Sequence, residues 1–307
     1  MVPSCPCFAK SLVSTDSRTY VVRFGYYKRV NDHVKVPRYR CKLCKKTFSD
    51  ATSSLCFGQK KRHLNRTIFE LLVGGMSLRR IAIVLGINRK TVVRKFLFLG
   101  GWAQQMLPQL NTLRPKVKCV EFDDLETFEH TKYKPLSVTA LVESKTRWLL
   151  GHRVSIMPAK GLLAKGARRK YGYRKDERGK ARRELFTELA PFIAEDAVIK
   201  SDKNPHYPND VKKHFPKAKH KVYESRRGCV VGQGELKRGG FDPIFSLNHT
   251  YAMLRANINR LFRRTWCTTK IAERLSLHIA MYSMYHNLKL LKKRSPKVVK
   301  LILTSQV

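Results

Sequence analysis

The sequence predicts a multidomain α/β protein in which a cysteine-rich module and a group of basic helices precede a larger domain that contains a sheet. Three observations lead to this prediction: two close cysteine pairs before residue 50, capped apolar repeats between residues 60 and 100, and successive strand-like segments after residue 116. The 307 residues are enough for two or three domains. We expect domains at residues 1–55, 60–105 and 116–290, and an unassigned basic tail at residues 291–307.

The chain is strongly basic, with 63 Lys and Arg residues against 22 Asp and Glu residues and a formal net charge of +41. No acidic residue lies between Glu70 and Glu121, and only Glu273 follows Asp242. Solvated surfaces usually mix charges, so these stretches favour contact with nucleic acid over a generic basic surface. No apolar run is long enough to span a membrane and the N-terminus lacks a signal-peptide core, so we expect an intracellular protein without a membrane partner.

The first module has the cysteine pattern of a structural metal site. Cys5 and Cys7 precede a hairpin-like segment, and Cys41 and Cys44 follow it. In an intracellular protein, such pairs indicate a metal or buried thiols rather than disulfides. Four thiolates at the tips of turns suit tetrahedral Zn²⁺, and so small a module would depend on the metal for stability. We therefore predict a zinc ribbon, with free cysteines in a basic hairpin as the alternative.

The basic helices fit a helix-turn-helix. Ser77 and Asn88 are suitable N-caps for two successive helices. Ala82, Gly86 and Val92 have the spacing of a small crossing residue, a turn glycine and a buried apolar residue. An ordinary helical hairpin is the alternative. Four residues would project from the recognition helix toward DNA: Arg89, Lys90, Arg94 and Lys95.

The third domain begins with three strand-like segments separated by short turns, which predict an antiparallel meander. A basic stretch, a helix and a further strand follow. The predicted strands are Lys118 to Phe122, Leu136 to Glu143, Arg147 to Ser155 and Ala197 to Asp202; the basic stretch is Lys160 to Arg183, and the helix is Arg182 to Ile193. Strand–strand–strand–helix–strand is the order of a ribonuclease-H-like fold, in which the first and fourth strands lie side by side.

Asp123 and Asp202 each close an apolar run, so this strand order would bring two strand-end carboxylates together. Paired carboxylates hold Mg²⁺ ions for phosphoryl transfer, although a single strand-end aspartate is more often a turn residue. Asp124 is the rival for the first position, but in an alternating strand it points to the opposite face from Asp123.

A third metal ligand is a choice between two residues. Glu235 lies in a glycine-containing loop, where a solvated glutamate is the alternative. Asn248 opens a predicted helix, where an N-cap is the alternative. Apolar residues recur at helical spacing through this C-terminal segment, and Arg255 and Arg263 fall largely on another face, where we expect them to contact DNA.

In combination these segments resemble the DDE-type transposases of bacterial insertion sequences, in particular the IS1-like group, over residues 5 to 290. The resemblance rests on the zinc-ribbon, helix-turn-helix and ribonuclease-H-like segments, and on Leu-Asn-His-Thr, Leu-Arg, Arg-Arg-Thr-Trp and Tyr-His-Asn along residues 247 to 287. It implies that Val-Glu-Phe-Asp-Asp carries the first catalytic aspartate at Asp123, and Ile-Lys-Ser-Asp the second at Asp202. Where the family has Glu or Asn, this sequence has Leu247 and Asn248. Either Asn248 replaces the acid as the third ligand, or Glu235 extends from its loop to the catalytic site.

The expected activity is metal-dependent cleavage of the 3′ ends of an insertion element and their transfer to target DNA, with Mg²⁺ or Mn²⁺ as cofactor. The expected partners are double-stranded DNA and further copies of the chain, in the bacterial cytoplasm at the nucleoid. Two alternatives are a DNA-binding regulator built from the first two domains, and a ribonuclease-H-like nuclease that cuts without strand transfer.

Overall fold

The computed structural model describes Cys5, Cys7 and residues 20–30, 33–224, 242–262 and 265–294, and its secondary structure is mixed α/β. One compact unit extends from Ile68 to Leu291, and the residues up to Thr67 belong to another. Among the described residues, no helix combines the length and apolar composition that a bilayer crossing needs.

The first unit contains a three-stranded antiparallel sheet in the order β1-β2-β3, formed by β1 (Val21–Lys28), β2 (Lys35–Cys41) and β3 (Thr47–Ser49). A bulge interrupts the β1–β2 pairing between Arg23 and Tyr26, and Gly25 adopts a φ of +74° there. The buried side chains of this sheet pack around cysteines in one small cluster: Cys5, Val21, Tyr39, Cys41 and Phe48.

Three helices follow: α1 (Asn65–Val73), α2 (Leu78–Val84) and α3 (Arg89–Thr112). The two predicted N-caps are confirmed, because Ser77 Oγ accepts from the Arg80 N–H at 3.2 Å and Asn88 Oδ1 accepts from the Lys90 N–H at 2.8 Å. Gly86, between α2 and α3, has the left-handed φ of +60° that the turn requires.

Helix α3 is longer than the sequence pattern suggested, and its C-terminal part packs on the larger sheet. The Asn111 side chain donates to the Leu150 carbonyl at 2.9 Å and accepts from the Trp148 indole N–H at 2.8 Å. The predicted boundary between residues 105 and 116 therefore falls inside one compact unit.

The larger sheet has five strands in the order β6-β5-β4-β7-β8. They are β4 (Val117–Phe128), β5 (Pro135–Glu143), β6 (Leu149–Ile156), β7 (Ile193–Asp202) and β8 (Lys219–Tyr223). Strands β4, β5 and β6 form the predicted antiparallel meander, whereas β7 is parallel to both β4 and β8. The predicted neighbourhood of the first and fourth strands is thus present.

Helices cover both faces of this sheet. The helices that follow α3 are α4 (Leu163–Tyr171), α5 (Arg178–Leu189), α6 (Tyr207–His214), α7 (Phe245–Asn257) and α8 (Ala272–Arg294). Phe122 packs edge-to-face on Phe186 of α5, with ring centroids 5.1 Å apart, while the adjacent Glu121 accepts from the Leu247 N–H of α7 at 2.9 Å. Since neighbouring strand residues point to opposite faces, α5 and α7 lie on opposite sides of the sheet.

One expectation about β4 is wrong, because Asp123 lies inside the strand rather than at its end. The pairing with β5 continues to the Phe128–Pro135 pair, well beyond the apolar run. Asp124 is the direct cross-strand partner of Thr139 and accepts a hydrogen bond from its hydroxyl group, so polar side chains prolong the ladder here. Asp202 is the last residue of β7, as predicted.

Candidate functional site

Asp123 and Asp202 lie level with each other on adjacent parallel strands. Glu121 of β4 is paired with Lys200 of β7, and each aspartate follows two residues later on its own strand. Residues two apart on a strand share a face, so both carboxylates leave the sheet on the same side. The sheet therefore brings these two predicted residues together.

The electrostatics of the pair fit a cation site. Burial, and then the negative charge of Asp202, raise the pKa of Asp123 to about 7. Burial also raises the pKa of Asp202, against the lowering effect of the Asn204 backbone N–H. Asp202 Oδ1 is buried without a hydrogen-bond partner. The charge of Asp124 also contributes to the raised pKa of Asp202. Buried carboxylates whose ionisation is opposed by neighbouring acids, one of them with an unpaired oxygen, are suited to a hard divalent cation.

Two tyrosines fix the position of Asp123. The Tyr207 hydroxyl group on α6 donates to Asp123 Oδ1 at 3.1 Å, and the Tyr251 hydroxyl group on α7 donates to the Asp123 carbonyl oxygen. Both tyrosine side chains are buried, Tyr207 completely. The strand and the carboxylate are thus held from two helices, which preorganises the site.

Asp124 contacts Thr139 and Arg182, so Asp123 is the better candidate for a metal ligand. One Asp124 oxygen accepts from the Thr139 hydroxyl group, and the other lies 3.9 Å from the Arg182 guanidinium. Arg182 is itself buried and donates through Nε to Asp210 at 2.8 Å. This arrangement agrees with the expectation that Asp124 points to the opposite face of the strand.

Asn248 is the described candidate for a third ligand. It is the fourth residue of α7, and its side-chain nitrogen donates to Asp242 Oδ2 at 3.0 Å. The N-cap of α7 is Ile244, so Asn248 does not have the capping role that was the alternative. With the nitrogen bound to Asp242, Oδ1 of Asn248 is the atom that can bind a cation. Glu235, the other candidate, lies outside the described residues.

Asp123 and neighbouring residues of β4 line one cavity of about 350 Å³ together with α7. Its wall includes Asp123, Asp124, Phe245, Asn248, His249 and Arg255. Of the predicted DNA-contacting residues, Arg255 thus lines the same cavity as Asp123, and Arg263 lies outside the described residues. Burial, and then the charge of Arg147, lower the pKa of His249. Its ring lies 3.0 Å from Arg147 Nη1.

The four predicted DNA-contacting residues of α3 differ in their exposure to solvent. Arg89, Lys90 and Arg94 are exposed, whereas Lys95 is buried with 5% of its surface accessible. Lys95 follows the buried Val92 by three residues and precedes the buried Leu99 by four, so helical geometry places it on the inner face. The prediction for Lys95 is therefore wrong, and the spacing in the sequence contained the reason.

The four N-terminal cysteines form a metal-binding geometry. Their sulfur atoms all lie within 4.8 Å of one another; Cys5 and Cys44 are 3.6 Å apart and Cys7 and Cys41 are 3.8 Å apart. Four sulfurs placed tetrahedrally at 2.3 Å from zinc are about 3.8 Å apart, so the cluster has the size of a zinc site. None of the seven described cysteines forms a disulfide.

The thiols of this cluster differ in proton affinity. A hydrogen bond with Cys5, followed by burial, raises the pKa of Cys7 to about 12. For Cys41, burial acts to raise the pKa, but the backbone N–H groups of Cys44 and Leu43 outweigh it and lower the pKa to about 7. The cluster therefore includes one sulfur prepared as a thiolate, and metal binding must displace protons from others.

The sequence did not indicate that Tyr207 and Phe245 belong to the acid site, or that the hydroxyl group of Tyr251 contacts it. Tyr251 shows only as one member of an apolar helical face, and no pattern links Tyr207 or Phe245 to the acids. Their contacts with the site depend on how α6 and α7 pack.

Comparison with known proteins does not identify a family: no protein-family model matches the chain, and no curated protein has a similar sequence. The residues and their geometry therefore carry the functional argument.

Proposed function

We propose that this chain is a DDE-type DNA transposase that cleaves the 3′ ends of an insertion element and joins them to target DNA. The observation that carries the proposal is the pair of level carboxylates, Asp123 and Asp202, on neighbouring parallel strands of a strongly basic chain. A basic protein attracts the polyanion, and paired carboxylates supply the cation that phosphoryl transfer needs.

The sheet topology supports a ribonuclease-H-like catalytic core. Counted from β4, the strand order is third, second, first, fourth, fifth, and only the second strand runs against its two neighbours. The sequence led us to expect the first four of these strands, with the first beside the fourth, and this neighbourhood aligns the two aspartates.

Each residue of the site has a role in the proposed reaction. Asp123, Asp202 and the side-chain oxygen of Asn248 would hold Mg²⁺ or Mn²⁺. The bound cation would supply charge stabilisation for the attacking and leaving oxygens. Tyr207 and Tyr251 hold Asp123 in place, and Arg255 would bind a phosphate of the DNA strand.

Exposed basic residues outside the cavity are suited to hold the DNA. Exposed Arg89, Lys90 and Arg94 would contact element ends through a helix-turn-helix formed by α2 and α3. Helix α4 adds further exposed cations, namely Lys165, Arg168, Arg169 and Lys170.

The four cysteines would bind zinc and stabilise a zinc ribbon. Cutting both element ends together implies a homo-oligomer on DNA, in the bacterial cytoplasm at the nucleoid.

The test uses DNA that flanks the protein's own coding sequence, labelled and incubated with zinc-loaded protein and Mg²⁺. We expect cleavage, and joining of pre-cut 3′-hydroxyl ends to a plasmid. Asp202→Ala should abolish both reactions with DNA binding retained, whereas Asp196→Ala, an exposed acid on the same strand, should not.

The alternatives give different results. Cleavage without joining would indicate a nuclease. Binding without metal-dependent cleavage in the unsubstituted protein would indicate a regulator. Full activity in Asp202→Ala would contradict the proposed site.

A further inference from the structure

Phe245 is not a candidate cation ligand, yet its side chain lies on the wall of the same cavity. Its side chain is 57% exposed, whereas Leu247, Tyr251 and Leu254 of the same helix are buried. Its ring centroid lies 5.7 Å from that of His249, at an interplanar angle of 56°. An exposed aromatic ring beside a polar cavity is suited to stack on a ligand with an aromatic face.

The residues of α7 that line this cavity form one stripe along the helix. Phe245, His249, Ala252 and Arg255 are spaced by four, three and three residues, which is the spacing of a single helix face. Ten residues of helix span about 15 Å, which is the length of about four base-pair steps. The stripe therefore offers an aromatic ring at one end and a guanidinium at the other. Asn248 lies between them along α7, and Asp123 lines the same cavity.

This order of groups matches the parts of a DNA strand. Arg255 suits a phosphate, the acids suit the cation beside the reacting phosphodiester, and the ring of Phe245 suits the flat face of a base. Ala252 has a small side chain, which leaves space between the ring and the guanidinium.

A base inside a duplex has both faces covered by its neighbours, so it reaches such a ring only after it leaves the stack. We propose that Phe245, together with His249, stacks on an unpaired nucleobase adjacent to the phosphodiester at Asp123. The preferred substrate is then a DNA end whose terminal base pairs are open. This inference rests on the proposed function, because it assumes that the cavity holds DNA.

The experiment measures binding of the zinc-loaded, full-length protein to two DNA probes in the absence of Mg²⁺. One probe is a fork with an unpaired 3′ tail that carries 2-aminopurine, and the other is the same duplex with blunt ends. Fluorescence of 2-aminopurine reports stacking of the base, and anisotropy gives the affinity.

We expect Phe245→Ala to weaken binding of the fork by about 10-fold or more, in line with the effect of one aromatic stacking contact. It should also abolish the fluorescence change, while binding of the blunt duplex stays the same. Phe245→Trp should restore both signals. Phe57→Ala, which removes a ring that is 60% exposed outside the cavity, should behave like the unsubstituted protein.

Phe245→Leu separates stacking from packing, because it keeps an apolar side chain without an aromatic face. It should lose the fork preference at an unchanged Tm. Unchanged fork affinity and fluorescence in Phe245→Ala and Phe245→Leu would overturn the inference, whether or not the Tm falls.

Failure of the proposed function would look different. Asp202→Ala would then still cleave DNA, or the unsubstituted protein would not cleave it. The fork measurements need no cleavage, so they test Phe245 separately.

Discussion

At the residue scale, the raised pKa of Asp123 links its burial in the fold to the proposed cation site. Folding raises its pKa from the usual value near 4 to about 7, through burial and then through the charge of Asp202. A raised carboxyl pKa means that ionisation disfavours the folded state. The destabilisation is absent below about pH 4, grows as the pH rises to about 7, and is complete above that. A bound divalent cation would remove it.

We therefore expect Mn²⁺ to stabilise the zinc-loaded protein more strongly at pH 8 than at pH 6. At pH 6 about nine in ten Asp123 carboxyl groups are protonated, so the apparent Mn²⁺ affinity should fall about tenfold. At pH 8, Mn²⁺ at about 100 times its Kd should stabilise the fold by about 2.7 kcal/mol. Thermal unfolding with and without Mn²⁺ at the two pH values measures both effects.

The matched variants are Asp123→Asn and Asp196→Asn. The first removes a buried charge and its repulsion with Asp202, so at pH 8 without Mn²⁺ its Tm should rise by several degrees, which corresponds to about 2 kcal/mol. It should also lose the response to Mn²⁺. Asp196→Asn, which changes an exposed residue, should leave both the Tm and the response to Mn²⁺ unchanged. An undiminished Mn²⁺ response in Asp123→Asn would exclude Asp123 as a ligand.

Single residues also mark the limit of what the sequence can predict. The two aspartates could be placed together because strand order and a period of two are visible in the sequence. The contacts of Tyr207 and Tyr251 with Asp123 could not, because they join residues 84 and 128 positions apart through the packing of two helices.

At the scale of elements, helix α3 is the most instructive. Its start was predictable from the Asn88 cap, but its length was not, since the C-terminal part is held by the buried Asn111 contacts with the sheet. Strand β8 was not predicted because none of its five residues is fully buried, so no apolar alternation marks it. Local sequence therefore fixes where an element begins more reliably than how far tertiary contacts extend it.

The two neighbouring cations of α3 should respond differently to substitution. Arg94→Ala removes an exposed charge, so DNA affinity should fall, the slope of log K against log salt should decrease by about one, and stability should change by less than about 0.5 kcal/mol. Lys95→Ala truncates a buried side chain, so stability should fall by about 1–2 kcal/mol with the salt slope unchanged. Urea unfolding and salt-dependent DNA binding measure these effects; a smaller salt slope in Lys95→Ala would show that Lys95 contacts DNA.

At the scale of the whole molecule, the chain consists of two units that are stabilised in different ways. The Ile68–Leu291 unit has a five-stranded sheet covered by helices, with a large apolar core. The sheet of the other unit buries a small cluster of side chains around the cysteines. A core that small rarely stabilises a fold without a staple, so the metal should provide much of its stability.

Removal of zinc should therefore unfold one unit and leave the other folded. In a calorimetric scan at neutral pH, we expect a chelator to abolish the transition of the cysteine-containing unit and to leave that of the Ile68–Leu291 unit within about 2 °C. Cys44→Ser should reproduce this result without chelator, whereas Cys119→Ser, outside the cluster, should retain both transitions. Because several cluster thiols must lose protons to bind the metal, the chelator-sensitive transition should also weaken as the pH falls below about 7. A single transition that shifts as a whole on chelation would show instead that the two units unfold together.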